Sequence, residues 1–498
     1  MNQEQIKKRS NFLILFLMSI ISVFADKRQD SDVVSYKIEA TSTFSGGENT
    51  PFWFVSNISG LGSPSINNGY LKISADKEFD SKKKFDWGAG IDLSGGWHIP
   101  APFAIRKLYA ELHYNALWIS VGSRNFYNDY NDRRLSSGDL LFSGNAMALP
   151  QLRIGTNGFA SFWGTRNWLA VRTYLAYGMF TDSKWMRNWV NPNNDYTKNV
   201  LLCSRGLWFR IGNQRKFPLS LDIGIEMATQ FGGSVFKDGK LIKMPNKFAD
   251  WIKAFIPYSG GETTPEGEQT NVQGNMNGEY NVALNWTPGS QWKIMAYYEH
   301  YFEDQSQMTF EYGLWKDGLW GLKIEFPQNK FISKLVYEYI GTSDQTGAVN
   351  HDASESIPEQ VSGRDGYYTH YLYGAWQNWG MTIGTPLAIS PLYNRTHVLT
   401  LYNTRFIANH FGFEGKPADF LNWRMLLTFS RNWGTYLRPL SERMDNFSGL
   451  LEIGINIKKF PGWNLKGAVA WDKGKLLGNN FGGLISLSYE GFFTLSKH

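Results

Sequence analysis

The side chains best equipped for chemistry are tryptophans interleaved with cations and amides. Ser183-Lys184-Trp185-Met186-Arg187-Asn188-Trp189 sets two indoles on either side of an arginine. Further on, Trp376 and Trp379 flank Gln377 and Asn378, and Tyr436, Arg438 and Arg443 share one expected loop. An indole covers the apolar face of a sugar, while Arg and Asn bond its hydroxyls and Arg forks onto carboxylates. The expected sugar-binding residues are therefore Trp185, Arg187, Trp189, Trp376, Trp379 and Arg438. A membrane-interface girdle uses the same rings, and for any one Trp at a strand end that reading is the stronger. Trp185 and Trp189 stand several residues beyond Met179, and there the two readings weigh about evenly.

Reaction chemistry has no comparable signal. Gly260-Gly261 is not followed by a phosphate-loop lysine, there is no H-E-x-x-H, and the eight histidines are scattered. Glu262 and Glu266 lie in a low-complexity loop, and Asn394-Arg395-Thr396 is a chance sequon in a bacterial setting. The chain is expected to be no enzyme and to need no cofactor or metal.

What must position the tryptophans is read from Gly206 to Gly232. Leu219, Leu221, Ile223, Ile225 and Met227 alternate with Ser220, Asp222, Gly224 and Glu226. Successive strand side chains point to opposite faces, so one face is apolar and the other wet. Leu207, Phe209 and Ile211 alternate likewise, and Asn213–Pro218 joins the two runs as a hairpin. A soluble sandwich shares that alternation. Recurrence at about ten residues along the whole chain, with aromatics near the ends, marks a transmembrane barrel instead.

Composition agrees. Twenty Trp, 25 Tyr, 34 Phe and 50 Gly occur without a mature segment apolar enough for a membrane helix. Lys7, Lys8 and Arg9 precede an apolar run from Phe12 to Phe24, which reads as a signal peptide cleaved near Ala25. Its removal takes away those three cations and Glu4, lowering the formal charge from +6 to +4, which gives no reason to invoke nucleic acid. The lone Cys203 is expected to be a small buried or lipid-facing residue.

Eighteen strands follow from the alternation, an even number that puts both termini on one side of a closed barrel. They include Phe85–Trp97, Leu117–Ser123, Met147–Gly155, His397–Ala408 and Ser448–Ile457. Connections after even strands are mostly short, with 156–167 and 409–421 the exceptions. Those after odd strands are mostly long, among them 124–146, 180–200, 229–279, 342–396 and 433–447. Outer-membrane barrels have short periplasmic turns and long external loops, so both termini are expected in the periplasm. The domain layout is thus a signal peptide at 1–25 and an all-β barrel domain at 26–498. The inward face carries Glu111, His113, Arg172, Arg210, Asp222, Glu226, Lys293, Glu299, Lys323, Glu325, Glu338, Arg424 and Lys466. Their mixed signs predict ion pairs along the wall rather than a charge-selective pore. Phe248, Trp251, Ile252 and Phe255 predict a short amphipathic helix packed on or into the mouth, and the 342–396 loop is expected to fold inward or cap it.

Several stretches also resemble the Wzi-type capsule assembly proteins in their Bacteroidetes branch. They are Glu48-Asn49-Thr50-Pro51-Phe52-Trp53, Leu135-Ser136-Ser137-Gly138, Ser143-Gly144-Asn145-Ala146, Pro150-Gln151-Leu152-Arg153-Ile154-Gly155 and Tyr177-Gly178-Met179-Phe180-Thr181-Asp182. Tyr196-Thr197-Lys198-Asn199-Val200, Asp317-Gly318-Leu319-Trp320-Gly321 and Ser390-Pro391-Leu392-Tyr393-Asn394 complete the set. The resemblance implies an eighteen-stranded outer-membrane barrel acting as a lectin that holds capsular polysaccharide at the cell surface, with outer-membrane lipid and polysaccharide-export machinery as further partners. A porin or saccharide transporter is the alternative. Two departures stand out: Phe492-Phe493 is followed by Thr-Leu-Ser-Lys-His where such barrels often end on an aromatic, and the short turns leave no place for the helical bundle that closes the periplasmic mouth of better-known members.

Overall fold

The computed structural model describes residues 33–256, 273–289, 292–303, 308, 317–327, 329–345, 349–351, 361–362 and 366–495. The expected signal peptide lies outside them. Eighteen antiparallel strands make the wall. In chain order these are β1 (Val33–Gly46), β2 (Asn68–Lys77), β3 (Phe85–Trp97), β4 (Phe103–Tyr114), β5 (Leu117–Ser123) and β6 (Pro150–Thr156). Then come β7 (Leu169–Met179), β8 (Leu201–Ile211), β9 (Leu219–Phe231), β10 (Asn275–Trp286), β11 (Lys293–Glu303) and β12 (Gly318–Glu325). The last six are β13 (Lys334–Gly341), β14 (Arg405–Ala418), β15 (Leu421–Gly434), β16 (Pro439–Asn456), β17 (Trp463–Gly474) and β18 (Asn480–Thr494). Each pairs with the next, and β1 closes on β18 from Val33↔Thr494 to Gly46↔Phe481, leaving no free edge.

Alternation sorts the two faces. Ile105, Leu112, Val121, Ile154, Phe209, Ile223, Leu284, Ile453 and Ile485 are exposed on the outside, where lipid covers them. Trp87, Tyr114, Trp168, Trp286 and Trp292 ring that face toward the end carrying the termini, while Trp97 and Trp320 stand toward the other. Inside, the expected ion pairs form. Arg210 donates Nε and Nη2 to the two oxygens of the buried Asp222, both at 2.7 Å. Arg424 and Lys466 both reach Glu452, at 3.0 and 3.7 Å. Trp208 also points inward, and its ring lies so close to the opposing Gly224 that a Cβ there would sit 1.9 Å from Cδ1.

The strands differ from expectation most in two places, while the tenth begins at Asn275, a few residues before the end of the loop expected at 229–279. The fourteenth strand is Arg405–Ala418, not His397–Ala408, so the long connection expected at 409–421 shrinks to residues 419–420. Val398–Thr404 instead belongs to the inward-turning loop, where the buried Leu399 and Leu401 imitate strand periodicity. The sixteenth strand begins at Pro439, so 433–447 is no loop; only 435–438 links β15 to β16, and Arg443 lies on the strand beside Asp445. At the end with the termini only 157–168 exceeds eight residues, and the opposite end bears the long loops. No helix among the described residues is long and apolar enough to cross a membrane; the strands do the crossing.

The lumen is filled by the chain's own outer loops. Residues 47–67, with the helix α1 (Phe52–Val55), residues 124–149 and the described parts of 342–404 turn inward. They share a core that includes Phe52, Trp53, Leu135, Leu140, Leu141, Tyr368, Trp376 and Ala388. Polar wall residues hold these loops rather than a water column. Glu338 accepts from Ser136 Oγ (2.6 Å), Ser137 N (2.7 Å), Ser137 Oγ (2.5 Å) and Tyr297 OH (2.5 Å). Glu299 accepts from Leu140 N at 3.1 Å, and His410 Nε2 donates to the Leu135 carbonyl at 2.7 Å. Gly412 makes room for that approach, because a Cβ there would lie 2.3 Å from the Leu135 oxygen. The strap 124–149 runs on to the end that carries the termini. There Asp129 meets Arg172 (2.7 Å), Asp132 meets Lys334 (2.8 Å), and Arg134 meets Glu414 (3.0 Å) and Glu452 (3.5 Å). The expected inward fold of the 342–396 loop is therefore one of three such folds among the described residues.

Candidate functional site

Three of the six predicted residues, Trp185, Trp189 and Trp379, come together, and Arg187 stands on the same helix as the first two. The helix α2 (Ser183–Trp189) stands on the outer loop after β7, with Met186 buried beneath it. One turn of helix puts Trp185 and Trp189 on the same face. Their rings stack at 5.5 Å and 18°, and Trp185 also meets Trp379 at 6.2 Å. Arg187 projects from the same helix and is exposed. All three indoles are half-buried, so part of each remains exposed to solvent.

Asp182 locks the two loops that supply these rings. Its Oδ2 accepts from Trp379 N at 3.0 Å and from Gln377 Nε2 at 3.3 Å. Burial raises the Asp182 carboxyl to about 6, against the opposing pull of those two donors. Gln377 Oε1 in turn accepts from Gly380 N at 2.6 Å, in a turn where Trp379 has φ 54° and Gly380 φ 76°. A Cβ at Gly380 would lie 2.5 Å from the Trp185 ring, so only glycine lets the indole settle there.

The structure adds His397, which stacks on Trp189 at 4.9 Å. Its Nδ1 lies 2.8 Å from the Trp189 carbonyl and must carry the proton, since a carbonyl only accepts. Nothing in the sequence pointed to it, because it sat in an expected strand. Asn191 and Asn194 tie the same loops, donating to the carbonyls of Thr396 (2.9 Å) and His397 (3.3 Å).

Two predicted residues are placed elsewhere. Trp376 is fully buried in the lumen core between Phe142 and Phe180, donating Nε1 to the Leu141 carbonyl at 3.1 Å. It carries the inward loop and presents no face to a ligand. Arg438 is exposed at the tip between β15 and β16 and touches none of the tryptophans among the described residues. The predicted helix is present as α3 (Phe248–Phe255) and packs on the outer wall, with Trp251 against Tyr177 and Phe231 and above the buried Cys203. Of the described groups, Asp139, Glu279 and Glu299 have the donor types a metal needs, one oxygen of each lying within 4.8 Å of the others. They mark the place where the strap meets β10 and β11.

No protein-family model matches the chain, and no curated protein matches its sequence. Among solved structures it is similar to Wzi of Escherichia coli, described as an outer membrane protein involved in group 1 capsule assembly and a carbohydrate-binding β-barrel. The identity is 12% over 92% of this chain and 85% of that one, with a TM-score of 0.55. OccK3 (OpdO) of Pseudomonas aeruginosa is 9% identical over 92% of this chain and 96% of its own, at a TM-score of 0.45. OprD of the same species is 8% identical over 94% and 97%, at 0.42. At such identities the likeness concerns the fold, and the fold is that of a closed, eighteen-stranded outer-membrane β-barrel.

Proposed function

We propose that this barrel is a lectin of the Wzi-type capsule assembly family, attaching or organising capsular polysaccharide at the cell surface. The observation that carries this reading is the gathering of Trp185, Trp189, Trp379 and His397 at the end opposite the termini, above a lumen packed with loops, with the exposed Arg187 on the same helix. Rings supply stacking surface and Arg187 a fork for hydroxyls or acidic groups. The sequence resemblance, and the carbohydrate binding attributed to Wzi, support it. On this reading the chain is exported with its leader removed near Ala25, works without a catalytic step, and meets polysaccharide-export machinery in the envelope.

The test is retention of purified capsular polysaccharide by the detergent-solubilised protein. The double change Trp185→Ala and Trp189→Ala should weaken binding by roughly thirty- to several hundred-fold, at about 1–2 kcal/mol per stacked ring. Heat-modifiable gel mobility checks that the barrel has folded. Unchanged binding by the folded double variant would make these rings a girdle. Steady ion conductance of the parent in planar bilayers would favour a porin instead.

A further inference from the structure

At the other end of the barrel, away from the tryptophan patch, lies a cavity of about 330 Å³, within the range of small-ligand sites. Phe79, Asn157 and Gly158, from turns on the side of the termini, form part of its lining, so it opens toward the periplasm. Most charges around it are already matched. Arg124 Nη1 is 2.6 Å from Glu111, and Arg172 Nη1 is 2.7 Å from Asp129.

Arg153, from β6, is different. Its guanidinium lies 3.3 Å from the Tyr174 ring centroid and 4.0 Å from that of Phe126. It makes no hydrogen bond or ion pair to any described residue, and its Nε is buried without a partner. Stacking between rings fixes a guanidinium in place without using its donors. Unused donors in a partly dry wall are costly unless a ligand or water takes them. The same tyrosine reaches an unused acceptor: its hydroxyl donates to Glu226 Oε1, and no described residue donates to the second oxygen. A free donor fork and a free carboxylate oxygen thus border one space, joined by the two ends of Tyr174.

That pairing fits a hydroxyl group better than an ion. A sugar hydroxyl accepts from Arg153 and donates to Glu226, and neighbouring hydroxyls use both at once. The half-buried Trp118 and Phe142 on the lining supply apolar surface for C–H faces. A carboxylate ligand would pair with Arg153 but meet Glu226 at close range. We propose that this periplasm-facing cavity binds a neutral saccharide unit, at a site independent of the outer patch.

The full-length protein in detergent is titrated by calorimetry with maltose, lactose, mannobiose and digalacturonate. At least one neutral disaccharide should bind. Its affinity should fall about tenfold or more in Arg153→Met and in Glu226→Gln, the scale of one charged hydrogen bond. Trp185→Ala with Trp189→Ala should leave it unchanged, which separates this site from the surface lectin reading. Heat-modifiable mobility checks folding; if Arg153→Met misfolds, Glu226→Gln carries the same test, since Gln keeps the shape and an acceptor for Tyr174. The proposal is overturned if no neutral disaccharide binds, if binding survives both variants, or if digalacturonate binds tightest. Loss in the tryptophan variant alone would overturn it too, by placing the sugar on the outer face.

Discussion

Cutting Glu338 back to a methyl group, Glu338→Ala, removes the acceptor on which the strap 124–149 hangs. Three of its four donors, Ser136 Oγ, Ser137 N and Ser137 Oγ, belong to the strap, and Tyr297 to the wall. A hydrogen bond to a charged group contributes about 1.5–3 kcal/mol, but the three share one carboxylate and the freed hydroxyls can turn to new partners. Loss of about 3–5 kcal/mol is the expected net, comparable to removing one member of a buried polar network. The Glu299, His410 and Lys334 contacts remain, so the strap should open more often rather than leave the lumen. Amide exchange over 135–142, followed by mass spectrometry in detergent, should speed up by roughly 10²–10⁴-fold, because exchange through local opening follows its free energy. Glu338→Gln should fall between, since one oxygen still accepts while the new amide faces the Ser137 donors. Bilayer recordings should show brief openings in Glu338→Ala that the parent lacks. Exchange within threefold of the parent in both variants, with the barrel heat-modifiable, would refute the idea that Glu338 latches the strap.

Other outcomes follow from the wall and the loops. Ile223→Arg and Leu221→Arg, facing lipid, should each destabilise the barrel by about 2–4 kcal/mol in a urea titration if they lie near the midplane. Asp222→Asn, between them but inward, should cost about 1–3 kcal/mol, because it breaks the bidentate pair with Arg210 and weakens the bond from Asn285. Asp182 is protonated in the folded loop up to about pH 6 but ionises near pH 4 when exposed, so the loop docking it anchors should weaken as pH rises from about 4 to 6 and level off above. Exchange at 377–380, corrected for intrinsic rate, should show that slope in the parent and lose it in Asp182→Asn. An epitope inserted at the exposed Asn193 should bind antibody on intact cells, while one in the turn 458–461 should need a broken outer membrane.

The wall was largely legible because lipid and packed lumen impose a strict period of two. Phe85–Trp97 and Leu117–Ser123 have the bounds their alternation predicts. Where the environment changes, the period loses its meaning. Pro439–Asp445 belongs to a strand whose predicted loop composition reflects water on both faces beyond the membrane, and Val398–Thr404 alternates though it belongs to an inward-turning loop. The candidate site was legible in part. Trp185, Trp189 and Trp379 could be picked by type, but nothing local distinguishes the surface Trp379 from Trp376, three residues earlier and wholly buried. That difference depends on Leu141, more than two hundred residues away in the chain. His397 and Arg153 were missed for the same reason, since stacking partners come from distant loops and strands.

The strap has a consequence for the order in which the molecule is built. It follows β5, yet its seats on β12 to β16 lie 193 to 318 residues further along the chain. A growing sheet that has not curled around lacks these seats, and contacts across such separations are slow to form because the intervening chain must first be ordered. The tube therefore exists open before it exists stoppered, and Asp132 and Arg134 at its periplasmic end find their counterparts among the last contacts made. Sealing the lumen is thus a report that the circle of strands is complete, delivered by a segment synthesised in the first third of the chain.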